Sequence, residues 1–213
     1  MNFVLDVYVI IDLNFSKGRS LEDVTASAIK GGASMIQLRE KRAETRQIVE
    51  MARIVKSICA KNNIPFIVND RVDIALAVEA DGVHLGPDDM AVTDARTLLG
   101  PDKIIGASAG NVDEALMAQR EGASYLGVGA IYATSTKPDA GAPIGPVTIS
   151  QIKRVCNLPV VGIGGITKDN AAQVITAGAE GVAVISAAIG AQDIVTAVRD
   201  ITDTVKRAKL LIK

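Results

Sequence analysis

Eight short apolar runs recur along the chain, and a longer segment of helical character follows each one. The runs cover residues 4–11, 34–38, 65–68, 82–85, 103–107, 124–128, 159–162 and 181–185. The helical stretches cover 21–30, 46–61, 72–77, 92–98, 113–121, 148–155, 169–177 and 193–210. Strict strand–helix alternation specifies a parallel sheet, because parallel neighbours need a crossover connection. The second helical stretch shows its period openly: Ile48, Met51, Ala52, Val55, Ile58 and Cys59 fall on one face. Glycine-containing punctuation closes a helix and opens a strand at Gly31-Gly32-Ala33-Ser34, Ala80-Asp81-Gly82-Val83, Gly122-Ala123-Ser124-Tyr125 and Gly178-Ala179-Glu180-Gly181. A helix C-cap takes positive φ, which glycine supplies without strain.

Eight units in 213 residues fit a closed (β/α)8 barrel, the TIM-barrel class, as a single catalytic domain over residues 1–213. An open dinucleotide-binding sheet would carry a glycine-rich turn after its first strand. Here the segment is Asp12-Leu13-Asn14-Phe15-Ser16-Lys17-Gly18. No linker, charge block or low-complexity run divides the chain.

Net charge of −1 gives no global field for nucleic acid or an anionic membrane, so any anion must be met by a local cluster. The apolar stretch 181–191 is shorter than the roughly 18 residues a membrane helix needs. The first twelve residues read as a strand, without a basic leading region or cleavage site. Cys59 and Cys156 lack metal spacing and sit among apolar neighbours, as reduced buried thiols do. A cytoplasmic protein is expected.

In a closed barrel the site lies at the C-terminal strand ends, so polar clusters should follow the strands, and they do. The second strand runs into Gln37-Leu38-Arg39-Glu40-Lys41. Alternation puts Gln37, Arg39 and Lys41 on the barrel side, a ready anion site, and turns Ile36, Leu38 and Glu40 toward the helices. The third ends in Asn69-Asp70-Arg71, where Asp70 serves either a hard cation or the cap of the next helix. The fourth ends in His84-Leu85-Gly86-Pro87-Asp88-Asp89. Asp70 and Asp89, from neighbouring loops, suit Mg²⁺, which takes one or two carboxylates and completes its shell with phosphate oxygens and water; Asp88 is an alternative to Asp89. His84, the one histidine, reads as structural. Ser108 follows the fifth strand, as a phosphate donor or a cap. A long loop after the sixth carries Thr134, Ser135, Thr136 and Lys137, hydroxyls and an ammonium suited to phosphate. Gly164-Gly165 and Ser186 follow the seventh and eighth strands, where barrels often bind phosphate through backbone N–H groups. Two anion sites result, one of them with a metal.

These segments, together with Asp81-Gly82-Val83-His84-Leu85-Gly86 and Val184-Ile185-Ser186-Ala187, resemble the thiamine phosphate synthase family in order and spacing across nearly the whole chain. The resemblance implies a Mg²⁺-dependent transferase. It would join 4-amino-2-methyl-5-hydroxymethylpyrimidine pyrophosphate to 4-methyl-5-(2-hydroxyethyl)thiazole phosphate, releasing pyrophosphate through a dissociative, pyrimidine-cation reaction. It implies that Gln37, Leu38, Arg39, Glu40, Lys41, Asn69, Ser108 and Lys137 bind the pyrimidine pyrophosphate, with Arg39, Lys137 and Ser108 catalytic. Asp70 and Asp89 would bind the metal, and Thr134, Ser135, Thr136, Gly165, Ile185 and Ser186 the thiazole phosphate. Partners are then small phosphorylated molecules, with no nucleic acid or membrane, in a possible homo-oligomer. Pro87 stands where family members often have glutamine, and Ala109-Gly110-Asn111 replaces a stretch that often carries a histidine. A related thiazole tautomerase on the same barrel would keep the thiazole site but need not keep Asp70, Asp89, Arg39 and Lys137. A non-catalytic phosphate-binding barrel would bind ligand without turnover.

Overall fold

The computed structural model describes residues 3–136 and 141–212. Eight parallel strands close into a barrel in sequence order: β1 (Val7–Ile11), β2 (Met35–Leu38), β3 (Phe66–Asn69), β4 (Gly82–Leu85), β5 (Ile104–Ala109), β6 (Tyr125–Val128), β7 (Val160–Ile163) and β8 (Gly181–Val184). The helices between them are α1 (Leu21–Gly31), α2 (Thr45–Lys61), α3 (Val72–Ala77), α4 (Val92–Leu99), α5 (Val112–Arg120), α6 (Val147–Lys153) and α7 (Ala171–Thr176). Two helices follow the last strand, α8 (Ser186–Ile189) and α9 (Ile194–Leu211). The seam that closes the barrel pairs Val7 with Val182 and Val9 with Val184.

The period of two in each strand divides the core into two layers. In β1, Val7, Val9 and Ile11 pack outward against the helices, where the larger cluster also takes Ile36, Leu38 and Val68. Tyr8 and Ile10 point inward, with Met35, Ile67, Ile104, Tyr125 and Val161 filling the barrel. Both cysteines are free and buried, as expected. Burial pushes the Cys59 thiol up to about 12, so it stays protonated at neutral pH.

Three details differ from the sequence expectation. The last strand stops at Val184 and gives way to α8, which is too short to show a helical period. Arg19 anchors that helix, donating to the carbonyls of Ile189 at 2.5 Å and Ala191 at 2.8 Å. Secondly, a 3-10 turn spans Leu13–Phe15, with the Asp12 carboxylate accepting from the Asn14 N–H. Finally, Gly32, Gly122 and Gly178 take the positive φ expected of the punctuation, but in the copy before β4 it is Glu79, at φ 52°, that does so. Gly82 there lies inside the strand, where a Cβ would come within 1.9 Å of the Ile104 carbonyl oxygen.

Candidate active site

A cavity of about 720 Å³ opens at the C-terminal end of the strands. It gathers side chains from Tyr8 at one end of the chain to Ser186 at the other. Gln37, Arg39, Lys41, Asn69, Asp70, Asp89, Ser108, Thr134, Ser135, Thr136, Gly165, Ile185 and Ser186 all line it. Lys137 lies outside the described residues.

Leu38 and Glu40 lie apart from the other expected site residues. The family motif includes them, but Leu38 is buried in the helix-facing layer and Glu40 accepts from the Arg42 N–H at 2.6 Å and the Ala43 N–H at 3.2 Å. Neither side chain lines the cavity, as strand alternation requires.

On the acidic side, Asp70 sits at the end of β3 in the left-handed region, at φ 63°, its N–H donating to the His84 carbonyl at 2.9 Å. That backbone bend aims its carboxylate at the mouth, where Lys41 pairs with it. Asp89 accepts from the Gly86 N–H at 2.7 Å, and its carboxyl is a direct hydrogen-bonding neighbour of Asp70. Desolvation, then the contact with Asp70, pushes Asp89 above the ordinary carboxylate range. Asp88 lines the same cavity but is exposed, and it is Asp89 that meets Asp70.

Two adjacent carboxylates that resist joint ionisation are a donor set for a cation. Among the described residues no third His, Cys, Asp or Glu joins such a group. The pair therefore suits a hard ion that completes its shell with phosphate oxygens and water, rather than an ion caged by protein.

A stability consequence follows. Because the folded pKa of Asp89 is raised above its ordinary 3.8, its contribution to stability is fully present below that value and is lost as pH rises through the raised one. Ionised at neutral pH without metal, Asp89 thus contributes less stability than its protonated form would. Asp89→Asn is expected to melt above the unsubstituted protein at pH 7 in chelator, with the gap closing at pH 3.5 or so. A variant melting lower at pH 7, by thermal denaturation, contradicts this electrostatic picture.

On the opposite side, the Thr136 hydroxyl meets the Ser186 hydroxyl at 3.0 Å, joining the loop after β6 to the start of α8. Gly165, at φ 64°, takes a conformation and a space that exclude other residues: a Cβ there would lie 2.5 Å from the Ala133 carbonyl oxygen. The Asn170 amide donates to the Gly165 carbonyl at 3.0 Å and holds the turn.

The sequence reading missed Tyr8, Asp12 and Tyr125. Buried Asp12 accepts from Arg39 Nη1 at 2.6 Å and so fixes the guanidinium at the cavity wall. Its inward alternation with Tyr8 and Ile10 was the available signal. His84, read as structural, lines the cavity while holding Tyr125 and Ser108. Burial keeps the phenols of Tyr8 and Tyr125 protonated far above neutrality.

Comparison with known proteins agrees with this geometry. The family model described as thiamine monophosphate synthase matches residues 7–188. A thiamine-phosphate synthase of Moorella thermoacetica is 51% identical over 204 residues, covering 96% of this chain and 97% of that one. One from Chloroflexus aurantiacus is 52% identical over 195 residues, covering 92% and 90%. The solved structure of a thiamine phosphate pyrophosphorylase from Pyrococcus furiosus superimposes with a TM-score of 0.88 at 41% identity, covering 96% of each chain. On the strength of that full-length match, the chain belongs to the thiamine monophosphate synthase family.

Proposed function

We propose that the chain condenses 4-amino-2-methyl-5-hydroxymethylpyrimidine pyrophosphate with 4-methyl-5-(2-hydroxyethyl)thiazole phosphate, giving thiamine monophosphate and pyrophosphate. The observation that carries this reading is a single cavity with the Asp70–Asp89 pair, Lys41 and Arg39 on one wall and the Thr136–Ser186–Gly165 cradle on the other. Family membership supports it independently.

In the reaction the bond from the pyrimidine methylene carbon to the pyrophosphate oxygen breaks, and its electron pair leaves with pyrophosphate. The lone pair of the thiazole nitrogen then forms the new C–N bond. No proton need be removed from either partner, so the protein's task is charge stabilisation and alignment. Arg39, held by Asp12, together with Lys41 meets the leaving diphosphate, and the family motif assigns Lys137 to the same charge. Gln37, Asn69 and Ser108 hold the pyrimidine end, with Leu38 and Glu40 contributing backbone alone. Thr134, Ser135, Thr136, Gly165, Ile185 and Ser186 fix the thiazole phosphate so that its ring nitrogen faces the methylene. Asp70 and Asp89 would hold Mg²⁺, which when bound supplies positive charge to the departing phosphate oxygens. Buried, reduced cysteines accord with a cytoplasmic setting.

Lys137→Ala is expected to lower turnover at least about 10²-fold, the usual cost of removing one electrostatic partner. Near-normal steady-state rates would remove Lys137 from the mechanism. The reading as a whole is tested by incubating the protein with both substrates and Mg²⁺ and assaying both products. Equimolar pyrophosphate and thiamine phosphate are expected. Isomerised thiazole phosphate without pyrophosphate, or binding without turnover, overturns it.

A further inference from the structure

Beneath the cavity floor a chain of hydrogen bonds crosses the barrel. The Gln37 side-chain amide Nε2 donates to the Tyr8 hydroxyl at 2.6 Å. The Tyr125 hydroxyl donates to the same oxygen at 2.9 Å. His84 Nδ1 lies 2.9 Å from the Tyr125 oxygen, and His84 Nε2 lies 3.2 Å from the Ser108 hydroxyl. Tyr125 is fully buried and does not line the cavity, whereas Gln37, Tyr8, His84 and Ser108 all do. The barrel makes room for this arrangement at Gly106, where a Cβ would fall 2.2 Å from the Tyr125 ring and 2.4 Å from His84 Nδ1.

Proton counting orders the chain. Tyr125 has one hydroxyl proton and gives it to Tyr8, so its bond to His84 Nδ1 needs the hydrogen on that nitrogen. A neutral imidazole carries one N–H, which leaves His84 Nε2 as an acceptor for the Ser108 hydroxyl. At the other end, the Tyr8 oxygen accepts twice, so its own proton is left to turn into the cavity. The Gln37 amide, having spent an N–H on Tyr8, offers its carbonyl oxygen.

We propose that Tyr125 is a positioning residue that sets the direction of the hydrogen bonds running from Tyr8 through His84 to Ser108, so that Tyr8 presents a donor beside the acceptor of Gln37. A donor next to an acceptor complements the amidine edge of an aminopyrimidine, whose ring nitrogen accepts while the adjacent amino group donates. This ligand assignment rests on the function proposed above; the proton order does not. Tyr125 acts through Tyr8 and His84, without touching substrate.

His84 is the only histidine in the sequence, so ¹⁵N-histidine NMR of the ligand-free protein reads its tautomer without ambiguity. In the unsubstituted protein at a pH where the ring is neutral, the hydrogen is expected on Nδ1. In Tyr125→Phe, which keeps the ring and removes the hydroxyl, it is expected to move largely to Nε2. The KM for the pyrimidine pyrophosphate should rise about 10-fold, the scale of one lost neutral hydrogen bond, while the KM for thiazole phosphate stays within about twofold. An Nε2 hydrogen in the unsubstituted protein, an unchanged tautomer in the variant, or equal rises in both KM values overturns the proposal. Should Tyr125→Phe fail to fold, Tyr8→Phe tests the same order from the other side. It frees the Tyr125 proton for His84 Nδ1, and the same tautomer change is expected; its absence counts against the proposal. If the unsubstituted protein turns over neither substrate, the function fails while the NMR result still decides the proton order.

Discussion

Replacing Asp70 with asparagine is expected to lower turnover about 10²–10³-fold while leaving the fold intact. The substitution isolates charge from conformation. Asp70 occupies φ 63°, a region that asparagine tolerates far better than alanine, so the strand end should keep its course. The amide still offers one oxygen, but it no longer carries the charge that balances Lys41 and that the proposed cation site beside Asp89 requires. The loss should fall on the step in which negative charge develops on pyrophosphate, and so on kcat, with the KM for thiazole phosphate little changed. Steady-state release of pyrophosphate, alongside circular dichroism to verify the fold, measures this. A variant within tenfold of the unsubstituted enzyme would mean that the acidic pair is not at the reacting centre.

The largest stability loss from a single methyl group is expected at Gly181. An added Cβ would lie 1.3 Å from the Leu5 carbonyl oxygen and 2.5 Å from its carbon, an overlap with backbone that no rotamer change relieves. The position is also critical topologically, because β8 meets β1 there and closes the barrel. Relief requires shifting the segment before β1, including buried Leu5. Gly181→Ala is expected to cost about 3 kcal/mol or more and to lower the melting temperature by roughly 6–12 °C, or to leave the protein insoluble. Gly100→Ala is the matched control. It has nothing within 4 Å but sits at φ 77°, ψ 177°, a region nearly restricted to glycine, so backbone strain of about 1–3 kcal/mol without any atomic overlap is expected. Urea unfolding of both variants gives the comparison. Equal midpoints would show that the seam opens freely at this point.

How much of this was legible in the sequence follows from the range of each interaction. Alternation with period two is local, and it gave the strands, the inward turn of Gln37, Arg39 and Lys41, and the outward turn of Leu38 and Glu40. Where the family motif and alternation disagreed about those last two, the side chains followed alternation. The clustering of Asp70, Asp89, Ser108 and Gly165 was readable because a closed barrel brings every strand end to one face. The short helix α8 spans four residues and leaves no periodic trace. Asp12 reaches Arg39 across 27 positions and Tyr125 reaches Tyr8 across 117, so neither pairing has a local signature, and only the inward phase of Asp12 with Tyr8 and Ile10 was readable. Glu79 takes the left-handed turn that glycine was expected to take before β4, because helix termination needs the conformation and glycine only eases it.

The proposed chemistry requires a divalent ion at the acidic pair. Crystals grown with Mn²⁺ and pyrophosphate, measured at the manganese absorption edge, should give one strong anomalous peak between the carboxylates of Asp70 and Asp89, in contact with diphosphate oxygens facing Arg39. Manganese bound elsewhere, with those two carboxylates still paired to each other and to Lys41, would contradict it.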